Sequence, residues 1–327
     1  MTYKLINQQP AGTFNITPLV KSIRWGGDIR QAARKMEIDM VYSRDENQPK
    51  YIPPLASLLI LQNDGREIIR TLPFENGRDT GNNLKITSYT HAKYLLNSKS
   101  TKKYQNVTAD AIIRQLCGEF GISVGDIPAT GVTLSKLILR NKNIWDMCIT
   151  ALTETSKRNG KKYQIRFKEG KLNVIEKGKQ TVRWVIKRGS NLISANYSES
   201  IEDMRNRIVI VGDNDKIIAD VKNEDLIKRY GLLQELKQES NISKGEAQTI
   251  AANMLKELGK VFQEASVECI GIDDVEAGDA IEIREDLTGL TGTFYVDTDE
   301  HTLTNGIHTM RLKLNWTDEV AMKEAGE

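Results

Sequence analysis

Three histidines and a surplus of carboxylates are the residues here that could do chemistry. His301 and His308 stand close to Asp297, Asp299 and Glu300, which raises the question of a metal site. Their spacing matches no zinc-binding helix, and Asp297-Thr298-Asp299 lacks the glycine and distal glutamate of a calcium loop. A polar role in a loop or hairpin is the expected one. His91 stands alone at a strand end and reads as structural or exposed. Cys117, Cys148 and Cys269 are odd in number and widely separated, which argues against a disulfide framework and against a zinc cluster. None has a neighbouring His or basic pair that would activate a thiolate. There is no G-x-S-x-G elbow, no Walker-type loop and no Gly-x-Gly-x-x-Gly. Paired acids of the glycosidase kind cannot be told from surface charge among 44 Asp and Glu. An enzyme is not expected, nor is any cofactor or metal.

The elements that would position these groups alternate between strand-rich and helical stretches. Met36, Ile38, Met40 and Tyr42 alternate with polar neighbours, the period of a half-buried strand. Leu58–Leu61 and Glu67–Arg70 flank Asn63-Asp64-Gly65, a hairpin turn, and Gly26-Gly27-Asp28 reads as another turn. Leu84–Tyr89 alternates again. In the middle, Thr108 caps a helix with Ile112, Ile113, Leu116 and Phe120 on one face and Gly121 as its stop. A second helix begins at Asn143 and ends by Gly160. Tyr163–Phe167 and Leu172–Val174 form a hairpin about Glu169-Gly170. The last third returns to strands at 207–211, 280–283, 292–296 and 310–314, interrupted by one helix that Ser243-Lys244-Gly245-Glu246 opens with a capping box.

With 327 residues, 39% hydrophobic and 28% charged, the chain reads as a soluble globular protein of two or three domains, made in a reducing cytosol. No apolar run suits a secretion signal or a membrane span. The net charge of +2 hides a strong asymmetry. Residues 1–90 hold 12 Lys/Arg against 9 Asp/Glu, residues 91–190 hold 20 against 7, and residues 191–327 hold 14 against 28. The basic middle concentrates Lys157, Arg158, Lys161, Lys162, Lys177, Lys179, Arg183, Lys187 and Arg188, with Tyr163 and Trp184 between them. Such a patch suits nucleic acid, an acidic protein or a wall polyanion, but no helix-turn-helix or RNP-type strand accompanies it.

The order of these elements resembles the baseplate hub family of contractile phage tails, particularly the prophage-type hubs of the XkdQ and YqbQ kind. The likeness runs through Ile23-Arg24-Trp25-Gly26-Gly27-Asp28, Tyr89-Thr90-His91-Ala92-Lys93-Tyr94-Leu95, the helix at Thr108-Ala109-Asp110 and Asn143-Ile144-Trp145-Asp146. It continues through Asn206–Gly212, Lys228-Arg229-Tyr230-Gly231, Ala277-Gly278-Asp279-Ala280-Ile281, Gly292–Val296 and His301–Leu312. Each motif alone is weak, whereas their order and spacing together are specific.

The resemblance implies a mixed, β-rich α+β fold in which two tube-like β-barrels flank a small inserted α+β domain. The expected limits are 1–90, 91–190 and 191–327, and the barrels are free to exchange strands across the insert. It implies a structural, non-enzymatic hub, a homotrimer whose six barrels make a pseudo-sixfold ring between the tail tube protein and the trimeric spike protein. The ring would touch other baseplate components and let DNA pass without specific binding, with no membrane involved. Such a protein is made in the bacterial cytoplasm and assembled into the particle. The chain stops soon after Trp316, as in a hub without a fused lysozyme or spike. A cell-wall-active enzyme or wall-binding module of the tail tip, and a nucleic-acid-binding protein using the basic middle domain, are the alternatives. The charge asymmetry adds an expectation of its own. Acids repel phosphates from a DNA-conducting lumen, so Asp273, Asp274, Glu276 and Asp279 are the candidates to line the channel. Lys157, Arg158, Lys161, Lys162, Arg183, Lys187 and Arg188 are then the candidates to dock an acidic neighbour on the outer rim.

Overall fold

Alternating burial along short segments separated by tight turns makes most of this chain strand. The computed structural model describes residues 2–42, 51–178, 182–240 and 242–324, with 49% strand and 19% helix. This is the mixed, β-rich class that was expected. Lys179 of the basic cluster lies outside the described residues. The first segment runs through β1 (Tyr3–Gln9), β2 (Gly12–Asn15), β3 (Val20–Asp28), β4 (Lys35–Val41), β5 (Leu58–Asn63), β6 (Arg66–Arg78) and β7 (Asn83–Tyr89). The middle holds α1 (Ala92–Asn97), β8 (Lys99–Thr108), α2 (Ala109–Glu119), β9 (Thr133–Asn143), α3 (Ile144–Asn159), β10 (Tyr163–Lys168), β11 (Lys171–Glu176) and β12 (Trp184–Lys187). The remainder is β13 (Leu192–Ser200), β14 (Arg207–Val211), β15 (Ile217–Lys222), α4 (Glu224–Tyr230), β16 (Gln234–Gln238), α5 (Lys244–Leu258), β17 (Phe262–Ile270), β18 (Ala280–Arg284), β19 (Thr291–Thr304) and β20 (Ile307–Asn315).

Two units contain these elements. The first holds the chain up to Ala195 and again from Ser266, and the second is Asn196–Ala265. In the first unit, β19 pairs antiparallel with β20 on one side and with β3 on the other, where Glu300 faces Gly26. Strands near the C-terminus are thereby woven into the N-terminal sheet, whose order continues β3-β4-β7-β6-β5-β1-β2. Its core is Leu5, Met36, Ile38, Met40, Leu59, Leu61, Leu84 and Ile86, all fully buried. Among the described residues the strand order ends at β13 and at β2, with β18 and β12 branching from β19, so the hydrogen bonds draw no closed barrel.

One expectation fails for a clear reason. Gly26-Gly27-Asp28 is not a turn but the end of β3. A side chain at Gly26 would put its Cβ 2.1 Å from the Asp299 carbonyl oxygen, so the glycine serves a close approach of β19 within the sheet.

The middle segment builds its own core within the first unit. Ile112, Ile113, Leu116 and Cys117 of α2 meet Ile144, Met147, Cys148 and Ala151 of α3 beneath β8 and β9. Asn143 caps α3 by accepting from the Asp146 amide at 2.7 Å, and Gly160 ends it at φ 71°. The strands β8 and β9 were not read from the sequence, because their lysines and arginine interrupt the alternation. In the second unit, β14 lies between β15 and β16. α5 starts at the expected capping box of Ser243 and Glu246 and packs Ala247 and Ala251 on Ile208, Ile210 and Ala219. No helix among the described residues is long and apolar enough to cross a membrane.

Candidate functional site

The loop 271–279 between β17 and β18 carries all four acids expected to line a channel, and the first unit folds around it. Asp273 accepts from the Tyr3 hydroxyl at 2.8 Å and from Asn63 Nδ2 at 2.7 Å, and its Oδ1 lies 3.3 Å from His308 Nδ1. Asp274 pairs with Arg66 at 2.5 Å. Glu276 meets Arg166 Nη1 at 2.9 Å and Arg34 Nη1 at 3.5 Å. Asp279 takes the other end of Arg166 at 2.9 Å and accepts the Glu276 amide at 3.0 Å. Arg34, preceding β4, then forks onto the fully buried Asp299 of β19 at 2.7 and 2.5 Å. Cations and anions therefore alternate along one chain: Asp299, Arg34, Glu276, Arg166, Asp279. It braces β19, the β3–β4 connection, the loop and β10 against one another.

His301 and His308 join this network from the core. They are 0% and 6% exposed on β19 and β20, so the expectation of loop or hairpin polarity is corrected. Cross-strand register puts them on one face, where His301 Nδ1 and His308 Nε2 lie 3.0 Å apart. His301 Nε2 lies 3.0 Å from the Val275 carbonyl oxygen and 3.4 Å from Asp299 Oδ2, and His308 Nδ1 lies 2.8 Å from the Tyr3 hydroxyl. Trp25 stacks on His301 at 5.0 Å between centroids and 8° between planes. Among the described residues no group of His, Cys, Asp and Glu is arranged to hold a metal ion. His91 is half-buried beside α1, where burial and the nearby Arg70 pull its pKa down.

Burial alone would raise both buried aspartates. For Asp273 the hydrogen bonds from His308, Asn63 and Tyr3 outweigh it, and for Asp299 the Arg34 charge and the His301 hydrogen bond do so. Both carboxyls end well below the usual carboxylate range and stay ionised. All three cysteines are buried. Burial pushes the Cys117 thiol up to about 11 and the Cys269 thiol up to about 12, away from thiolate reactivity.

A cleft of about 720 Å³ opens in the first unit beside this network. Its walls include Arg34, Arg66, Arg70, Arg166 and Arg183, facing Asp273, Asp274, Glu276 and Asp279, with Trp25 and Trp184 between them. Sequence reading missed Tyr3, Arg34 and Arg166. Arg166 stands between Ile165 and Phe167 on the polar side of the alternation, which reads as solvent, and only the approach of the loop reveals its partners. Of the seven basic residues expected to dock a partner, Arg183 alone lines the cleft. Lys157 pairs with Glu154 and Glu324, and Lys161 with Glu176. Arg158 and Lys162 donate to the carbonyl oxygens of Thr133 and Asp318. Arg183, Lys187 and Arg188 have no ion pair among the described residues.

Chemically, the network is a polar brace: its carboxylates are engaged by cations, hydroxyls and amides. The chain is 28% identical to the phage-like element PBSX protein XkdQ of Bacillus subtilis (strain 168) over 90% of this chain and 91% of that one. Its fold is similar to that of the 43 kDa tail protein of prophage MuSo2 from Shewanella oneidensis, at TM-score 0.69 and 12% identity, over 98% of this chain and 100% of that one. It is also similar to the E. coli c3393 protein, a component of the type VI secretion system with structural similarity to the T4 bacteriophage tail proteins gp27 and gp5. The TM-score there is 0.56 and the identity 9%, covering 94% of this chain and 76% of that one. The YQBQ-like family model matches residues 23–315, nearly the whole of the sheet and insert described above, and the chain belongs to the YQBQ-like family.

Proposed function

We propose that the chain is a structural baseplate hub of a contractile phage tail or tail-like particle. In this reading it is a homotrimer in which each subunit supplies two tube-like β-barrels. The pseudo-sixfold ring joins the tail tube protein to the trimeric spike protein, contacts other baseplate components and lets DNA through without specific binding. Synthesis is in the bacterial cytoplasm and assembly is into the particle. The fold similarity to a prophage tail protein, over 98% of this chain and 100% of that one, carries the reading. The similarity to the c3393 protein, itself similar to the T4 tail proteins gp27 and gp5, supports a place in a phage-type tail.

In such a ring the 271–279 loop, with Asp273, Asp274, Glu276 and Asp279, is proposed to face the channel. The Asp274 side chain, 51% exposed, has the most carboxylate surface to offer. Lys157, Arg158, Lys161, Lys162, Arg183, Lys187 and Arg188 are proposed for the outer rim. Light scattering of the chain alone and co-expressed with its spike tests the assembly, with a trimer expected. A strict monomer in both settings overturns it, and lysis of purified peptidoglycan by the isolated chain would return the wall-active alternative.

A further inference from the structure

Together β8 and β9 hold six lysine and arginine residues and no aspartate or glutamate. One face of this two-stranded ribbon is core, with Tyr104, Leu137 and Leu139 buried against the helices. Two of the six cations are engaged: Lys102 pairs with Glu119, and Lys142 donates to the Glu324 carbonyl oxygen at 2.7 Å. Register fixes the other face. Lys103 stands opposite Ile138, Gln105 opposite Lys136, and Arg140 follows two residues after Ile138 on the same side. Lys103, Lys136 and Arg140 are exposed, and among the described residues no carboxylate pairs with them. Diagonal neighbours across a ladder lie roughly 7–8 Å apart, so Lys103 has a like charge on either side. Like charges so placed repel one another, and nothing within the described chain offsets them.

We propose that the outer face of β8 and β9 docks a carboxylate-rich face of another protein, seated on Ile138 with Lys103, Lys136 and Arg140 as its charged rim. An apolar centre ringed by polar groups is the usual anatomy of a protein interface, and complementary charge sets its register. One observation favours protein over nucleic acid. The one aromatic residue of the ribbon, Tyr104, is buried and cannot stack a base. The surface depends on the hub reading only for naming the partner as a baseplate neighbour. It adds a second basic face to the sequence cluster, of which Lys157 and Lys161 are already neutralised.

Fluorescence anisotropy of the full chain with labelled poly-L-glutamate, at 50 and 300 mM NaCl, tests the surface. The wild type is expected to bind, more weakly at the higher salt. The triple variant K103E/K136E/R140E should lose at least tenfold, while K244E/K256E, at two exposed lysines of α5, changes less than threefold. Circular dichroism checks the fold of each variant, and the neutral K103Q/K136Q/R140Q, expected to lose at least fivefold, replaces a reversal that fails to fold. Absence of wild-type binding, equal losses in the two sets, or duplex DNA displacing polyglutamate charge for charge overturns the proposal. A wild-type chain that stays monomeric yet binds through this face supports the surface and removes only the hub reading.

Discussion

Arg34 has the most to lose of any single side chain. It forks onto Asp299, which is wholly buried, and reaches Glu276. Removing one partner of a buried pair leaves an uncompensated charge, at a cost of roughly 3–5 kcal/mol. Arg34→Met should therefore lower the calorimetric melting temperature sharply, and a melting point close to wild type would show that the pair carries no weight. The same network sets an acid limit. Asp273 and Asp299 have folded-state pKa values below their unfolded value of about 3.9. The stability they contribute is present above that value and is lost as pH falls through it towards the folded values. Asp299→Asn should flatten the fall in stability below about pH 5, measured by urea unfolding at stepped pH. An unchanged slope would mean that other carboxylates dominate. The sequence exposed Asp299 only as part of a deficient calcium loop, because its partner lies 265 positions away.

At the scale of elements, local signals were legible wherever local chemistry decides. The Asn63-Asp64-Gly65 turn joins β5 to β6 with Asp64 and Gly65 at φ 48° and 83°, which an Asp-Gly pair adopts readily. The caps at Asn143 and Ser243 and the stop at Gly160 stand where the residue types put them. Gly26 was misread because a strand glycine and a turn glycine look alike along the chain. Its role is set by β19, and Gly26→Ala should cost about 3 kcal/mol, the upper end of overpacking penalties. Chemical denaturation measures it, and a loss under half that figure would show that β3 and β19 move apart freely. β8 and β9 were illegible for the opposite reason: their outward cations hide a period that Tyr104, Leu137 and Leu139 keep on the inside.

For the whole molecule, the chain from Asn196 to Ala265 has its own sheet, helix and small core. Asn191, just before β13, and Ile270, the last residue of β17, are hydrogen-bonded at 2.8 Å, so the chain leaves and re-enters the first unit on neighbouring strands. Replacing residues 196–265 by an Asn-Gly turn should leave a remainder that melts cooperatively with strand-dominated circular dichroism. A molten remainder would show that the second unit is needed for the first to fold.

The sequence by itself determined the β-rich class, the limits of α2 and α3, the start of α5, the Asn63-Asp64-Gly65 turn and a resemblance that the family match confirms. Those follow from periodicity and from backbone preferences of single residues, which act over a few positions. The tertiary structure alone decided where charge is spent. The sequence divides into a basic middle and an acidic end, yet Arg166 and Lys177 of the middle meet Glu276, Asp279 and Asp318 of the end. Part of the asymmetry between sequence thirds is thus neutralised inside one unit, while Lys103, Lys136 and Arg140 of β8 and β9 stay exposed. Coulomb attraction depends on distance in space, and a strand that joins a sheet hundreds of residues from its own neighbours changes that distance without changing composition.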